Sequence, residues 1–222
     1  MTFAALPERL AAVRACIARH ATQPVTIVAV TKGFGAEAVR AALAAGLADI
    51  GENRVQEALR KQDEVAGLPV RWHLVGHLQR NKAKFVPGRF ALVHSLDAAP
   101  LADELARRAS DQVLPVLLQI NVAREPQKSG CAPDDAPALA RHIAARRALH
   151  LEGLMTIAPF TADVALQRRT FRELRVLRDR LQEEEGLWLP TLSMGMSDDY
   201  ATAVAEGATV IRLGTALFGP RP

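Results

Sequence analysis

Residues 27–35 read IVAVTKGFG: small and β-branched apolar residues, then Thr31 and Lys32, then a glycine-flanked turn. The run predicts a buried strand, and Lys32 stands where that strand leaves the core. An amine among apolar walls loses solvation, which disfavours the ammonium form and lowers its pKa. A neutral amine is a nucleophile toward an aldehyde. Position alone equally allows a lysine that carries its charge out to water on an apolar stem. Near the other end of the chain, SMGMSDD (193–199) and IRLGTALFG (211–219) each close a short apolar run with small residues and open a helix. Ser197 fits an N-cap, with Asp198 and Asp199 in the first helical turn. Gly214 and Thr215 fit a backbone that a ligand approaches closely, because glycine removes the side chain and free N–H groups at a helix start attract anions. The alternative for these glycines is that they only turn the chain.

The elements that must position these residues alternate. Leu6, Leu10, Val13 and Ile17 form one apolar stripe and predict an opening helix. Val25–Thr31 predicts the first strand and Ala36–Ala45 a helix stopped by Gly46. Further short apolar runs lie near 48–50, 70–75, 92–94, 114–122, 151–155, 191–194 and 209–213, with Ala- and Leu-rich helical stretches between most of them. The clearest helix is Val164–Glu185, where Phe171, Leu174, Leu177 and Leu181 share a face. Residues 124–137 predict a long loop after strand five. Strand–helix alternation implies a parallel sheet with helices outside. The strand count and the 222-residue length predict one (β/α)8 TIM barrel over residues 1–222, with a doubly wound open sheet as the rival.

In a barrel the working face is the C-terminal end of the strands. Lys32 falls there, as do Asn53, His73, His77, Ser95, Asn121 and Arg212. Loops after strands seven and eight supply the usual phosphate site of this fold, which is where Ser197, Gly214 and Thr215 fall. A ligand with an aldehyde at one end and a phosphate at the other satisfies both sides of the mouth. Pyridoxal 5′-phosphate (PLP) is such a molecule; a sugar phosphate caught as a Schiff base is the rival without PLP.

Composition narrows the remaining classes. Cys16 and Cys131 lie too far apart for a zinc pair and make no disulfide framework, which favours a reducing compartment. No apolar stretch approaches a membrane span, and Glu8 among Arg9, Arg14 and Arg19 argues against a transit peptide. The net charge of +4 permits an anionic ligand without requiring one. His73 and His77 have the spacing of a zinc helix, but Leu74, Val75 and Gly76 between them read as a strand end, so no metal is expected. The pairs Arg107–Arg108, Arg146–Arg147 and Arg168–Arg169 fall on helices and read as solvated faces, and the single tyrosine leaves little for base stacking, so nucleic acid is not expected.

The stretches AVTKGFG, ADIGENRVQEALRK, WHLVGHLQRNK, HSLD, INVAREPQKSG, LEGLMTIAP, SMGMSDDY and VIRLGTALFG cover nearly the whole chain. Together they make the sequence similar to the pyridoxal phosphate homeostasis protein family. The resemblance implies an alanine-racemase-type barrel that binds PLP as a Schiff base, acts in PLP supply and is not an enzyme. It implies Lys32 as the Schiff-base lysine, Asn53 near the cofactor, Ser197, Gly214 and Thr215 at the phosphate, and Arg212 facing the pyridine nitrogen. Ser193 is a further candidate for the phosphate loop; REPQKSG is assigned no contact. An arginine only donates hydrogen bonds, so Arg212 favours an unprotonated pyridine nitrogen and a weak electron sink. Read without the family, Arg212 would be a buried charge paired with Glu52 or Asp49. The resemblance leaves a PLP-dependent amino-acid racemase as the alternative. Alanine racemases take a second base, a tyrosine, from an additional β domain that this sequence is expected to lack, and the one tyrosine here, Tyr200, is expected beside the phosphate. A cytoplasmic monomer is expected, with PLP-requiring apo-enzymes as candidate recipients.

Overall fold

The computed structural model describes residues 3–109 and 112–221; residues 1, 2 and 222, the ends of the expected domain, lie outside the described residues. Eight parallel strands close into a barrel in sequence order: β1 (Thr26–Val30), β2 (Asp49–Glu52), β3 (Arg71–Leu74), β4 (Leu92–Leu96), β5 (Leu114–Gln119), β6 (Leu149–Met155), β7 (Thr191–Ser193) and β8 (Val210–Leu213). The open-sheet rival is thereby removed. The helices are α1 (Leu6–His20), α2 (Ala36–Ala44), α3 (Val55–Glu64), α4 (Ala99–Ala109), α5 (Ala136–Ala144), α6 (Val164–Glu185), α7 (Tyr200–Ala205) and α8 (Thr215–Phe218), with a 3₁₀ helix over Arg80–Phe85 between β3 and β4. Among the described residues no helix is long and apolar enough to cross a membrane.

Several boundaries differ from the sequence reading by a few residues, and the largest differences follow β5. β5 stops at Gln119, and Ile120 continues as an isolated bridge to Cys131, with its N–H on the Met155 carbonyl at 2.8 Å. The expected loop over 124–137 is shorter, because a 3₁₀ turn at Pro133–Asp135 leads into α5 at Ala136. Prolines there suggest loop, but proline is favoured in a first helical turn, where its missing N–H is not needed.

Strand alternation divides the interior. Ile27 and Ala29 of β1 and Ile211 and Leu213 of β8 join the large core beneath the helices. Val28, Val30, Val75 and Val210 form a separate cluster inside the barrel, as the two-residue period requires. Register sets Val28 opposite Arg212, so Arg212 also points into the barrel. α1 packs on α7 and α8. In front of it Phe3, Phe34 and Phe218 meet edge-on or tilted, with centroids 5.5–5.7 Å apart. This clamp ties the turn after β1 to α8.

A buried ionic network holds the backbone on both sides of Lys32. The Thr31 hydroxyl donates to Glu52, and the Thr31 carbonyl accepts from Lys61 Nζ at 2.8 Å. Lys61 also donates to Glu52 and, at 3.0 Å, to Glu57. Glu57 in turn accepts the Gly33 N–H at 2.9 Å. Glu52 is fully buried and Lys61 nearly so. Burial pushes the Glu52 carboxyl up, against the opposing pull of Lys61 and Thr31. Removing one member of a buried pair strands the other charge, a loss of about 3–5 kcal/mol. Lys61→Met is therefore expected to lower unfolding stability by about that amount in a urea titration, and adding Glu52→Leu should recover most of it. A loss below ~1 kcal/mol in the single variant would contradict the clamp.

Candidate functional site

At the C-terminal mouth lies a pocket of about 370 Å³. Lys32, Asn53, Ser197, Arg212, Gly214 and Thr215, which belong to four separate stretches of the sequence, all line it. Lys32 enters from the turn after β1, between the pinned residues Thr31 and Gly33. Asn53 follows β2 and is held by close contact: a Cβ on Gly76 would sit 2.4 Å from the Asn53 carbonyl oxygen. The Gly76 carbonyl is itself fixed by the Ser95 hydroxyl at 2.7 Å. Any side chain at residue 76 would push Asn53 from the pocket.

The far wall is built from the loop after β7 and the start of α8. Ser197 does not cap its own helix, contrary to the sequence reading. Asp199 stands at the N-cap of α7, and its carboxylate accepts the Met196 N–H at 2.6 Å. Ser197 Oγ instead accepts the Ala216 N–H at 3.0 Å and so ties this loop to the first turn of α8. Gly214 precedes α8. The first N–H groups of a helix have no partner in its own ladder, which leaves the Thr215 end of α8 as a donor facing the pocket.

The electrostatics are those of a cationic hollow. Burial pushes the Lys32 amine below its usual range, and Arg221 and Arg212 push it the same way, with Glu52 opposing. Burial likewise lowers Arg212 to about 10, against the pull of Asp199. Arg212 donates to Ser193 Oγ at 2.7 Å and to the Thr156 carbonyl at 2.9 Å. It pairs with neither Glu52 nor Asp49. Ser193 is fully buried behind Arg212 and is not among the residues lining the pocket.

Other expectations are sorted by the same geometry. His77 lines the pocket with an exposed ring 3.7 Å from Asp97. His73 is buried against Asp49 and His94, so the two histidines do not converge. Among the described residues no group of three or more His, Cys, Asp or Glu side chains is placed to hold a metal. Tyr200 opens α7 beside Cys16 and does not line the pocket; burial and then Cys16 raise its phenol. Asn121 holds the loop after β5 by donating to the Glu125 carbonyl at 2.8 Å.

The sequence reading missed Lys128, Ser129 and Arg221, which also line the pocket. The loop carrying REPQKSG folds back over the mouth, with Gln119 donating to the Ser129 carbonyl at 2.9 Å and Lys128 to the Ala158 carbonyl at 2.9 Å. A loop after a barrel strand is a candidate for the working face wherever it falls, and that signal was present. Arg221 packs along Gly33, a contact no spacing rule reveals.

The donor set suits a ligand with a phosphate and an aldehyde: an amine whose pKa burial lowers, an apolar wall from Val30, Val75 and Ile157, an obligate donor in Arg212 and a helix start. The chain matches the family described as alanine racemase, N-terminal domain, over residues 5–222. A pyridoxal phosphate homeostasis protein of Pseudomonas aeruginosa is 48% identical over 97% of this chain and 96% of its own length. One from Aquifex aeolicus is 42% identical over 88% of this chain and 86% of its own. The solved structure of PipY from Synechococcus elongatus with PLP bound superposes with a TM-score of 0.86 at 40% identity, covering 96% of this chain and all of that one. Alanine racemase of Clostridium difficile, 13% identical with a TM-score of 0.78 and 57% of its length covered, shares the fold. The chain thus belongs to the pyridoxal phosphate homeostasis protein family.

Proposed function

We propose that this protein binds PLP at the mouth of the barrel as a Schiff base on Lys32 and keeps it for supply to PLP-requiring apo-enzymes, without robust catalysis of its own. The observation that carries the reading is convergence: one pocket is lined by a desolvated amine, a donor-only guanidinium and a helix start. Membership of the family and the PLP held by PipY support it. Lys32 supplies the amine, Ser197, Gly214 and Thr215 the phosphate contacts, Asn53 a contact beside the ring, and Arg212 the donor to the pyridine nitrogen. Bound PLP would supply an electrophilic aldehyde and an electron-withdrawing ring. Arg212 limits that withdrawal, because it cannot protonate the nitrogen as a carboxylic acid would. The reading takes the protein as a cytoplasmic monomer of one domain, with neither nucleic acid nor a membrane as partner.

The reading is tested at the amine, the anion wall and the ring face. Lys32→Ala is expected to lose the visible absorption band of the PLP-loaded protein while retaining weaker, phosphate-anchored binding; a band that persists unchanged overturns the assignment. Thr215→Ala removes a hydroxyl donor to a charged partner, worth about 1.5–3 kcal/mol. PLP affinity in equilibrium titration should then fall by about 10- to 150-fold. Pyridoxal without the phosphate should bind the parent protein poorly, and equal affinity for the two contradicts the phosphate wall.

Racemisation requires a base on each face of the ring, one to remove the Cα proton and one to return it. Lys32 serves one face, and Tyr200 lies outside the pocket. Arginines aside, the other basic or acidic side chains lining the pocket are His77, Lys128 and Asp198, and His77 is the first candidate for a second base. Solvent-deuterium exchange at Cα of alanine, followed by chiral analysis, should show no inversion above the rate of free PLP. Inversion at ~1–10³ s⁻¹ would establish a racemase, and its loss in His77→Ala would name the base.

A further inference from the structure

Arg212 is buried, yet among the described residues no carboxylate hydrogen-bonds to it. Instead, its Ser193 partner begins a chain of side chains that crosses the barrel. Ser193 Oγ lies 2.8 Å from His94 Nδ1, His94 Nε2 lies 3.0 Å from His73 Nδ1, and His73 Nε2 lies 3.0 Å from Asp49 Oδ1. Asp49, His73, His94 and Ser193 are all buried. Asp49 and Arg71 open β2 and β3, and Arg71 donates to Asp49 from the exposed edge at the N-terminal face. The chain therefore joins the closed end of the barrel to the guanidinium at its mouth.

Elementary donor counting gives it one polarity. Arg212 can only donate, and an ionised Asp49 can only accept. Asp49 is ionised at neutral pH: burial raises it, but hydrogen bonds from His73 and Arg71 outweigh this and bring it to about 2. His94 is held well below the usual histidine range by burial first, then by His73 and Arg212, so it carries a single N–H. If that hydrogen is on Nε2, every member is satisfied: Arg212 donates to Ser193, Ser193 to His94, His94 to His73 and His73 to Asp49. If it is on Nδ1, His73 must become an imidazolium, and the Ser193 hydroxyl hydrogen has no acceptor among the described residues.

We propose that Asp49, His73, His94 and Ser193 are positioning residues: a single run of hydrogen bonds, oriented by the Asp49 anion, locks the Arg212 guanidinium in the pocket. Asp49 contributes the terminal acceptor of the run, whereas the carboxylate whose charge acts on Arg212 is Asp199. A carboxylate directly on Arg212 would occupy the donors that the pocket needs and cancel its charge there. The link to the ligand rests on the proposed place of Arg212 at the PLP ring, whereas the link from Asp49 to His94 does not.

The test uses the ligand-free and PLP-loaded full chain. Long-range ¹H–¹⁵N NMR of the ligand-free protein at neutral pH should find both His73 and His94 protonated on Nε2; an Nδ1–H form of either overturns the proposal, whether or not any variant folds. Asp49→Ala should give His94 a mixture of tautomers and lower PLP affinity by about tenfold. Asp49→Asn keeps an oxygen acceptor for His73 and should retain the parent tautomers, as should Arg71→Ala, which removes only the exposed ion pair. An unchanged His94 tautomer in Asp49→Ala, or a changed tautomer with parent PLP affinity, overturns the lock. Failure of PLP to bind the parent protein at all would instead remove the proposed function and leave the tautomer result standing.

Discussion

Four cationic side chains, Lys32, Lys128, Arg212 and Arg221, line one small pocket, and Lys32 and Arg212 are partly or wholly stripped of water. Lys32 and Arg212 repel each other there, and Arg221 adds to the repulsion. Desolvation of like charges is among the most costly arrangements a folded chain sustains. The remaining architecture can be understood as the means of sustaining it. The lysine yields by moving toward its neutral form, which is the form able to react with an aldehyde. The arginine stays charged and gives two of its N–H donors to neutral acceptors, the Thr156 carbonyl and the Ser193 hydroxyl, which leaves others for the pocket. A bound phosphate would add negative charge to a hollow whose lining carries four cationic side chains against the single carboxylate of Asp198.

Anions inside the barrel are correspondingly kept off the pocket floor. Glu52 is occupied by Thr31 and Lys61, where it fixes the backbone that presents Lys32. Asp49 sits at the opposite end, held by Arg71 and His73. Both carboxylates serve the site through intermediaries, and the pull of Glu52 on Lys32 is outweighed by burial and the neighbouring arginines. The Phe3–Phe34–Phe218 cluster serves the same end mechanically, because it joins the turn that carries Lys32 to the helix start that carries Thr215. Amine and anion wall are thus parts of one packed unit.

Much of this was legible in the sequence because it is local. The β1 run ending in Lys32, the small residues at 197 and 214–215, and the span of α6 are written in consecutive residues whose periodicity and turn chemistry are specific. The barrel itself followed from alternation and length. What escaped was non-local or locally ambiguous. Pro137 reads as loop until its place in a first helical turn is known. Ser197 and Asp199 are rivals for one N-cap position, and only the fold shows Asp199 occupying it while Ser197 accepts the Ala216 N–H of α8. The path from Asp49 to Arg212 uses side chains from β2, β3, β4, β7 and β8, so no window of sequence contains it. Glu52 and Asp49 were natural candidates to neutralise Arg212, yet each is engaged by a basic residue nearer in space.

The central claim is that the Lys32 amine is the covalent anchor of PLP. Borohydride reduction of the PLP-loaded protein, followed by proteolysis and mass mapping, tests it most directly. The account predicts one phosphopyridoxyl adduct, on the peptide containing Lys32, at close to one per chain. An adduct mapping chiefly to another lysine, or none after complete loading, would contradict it.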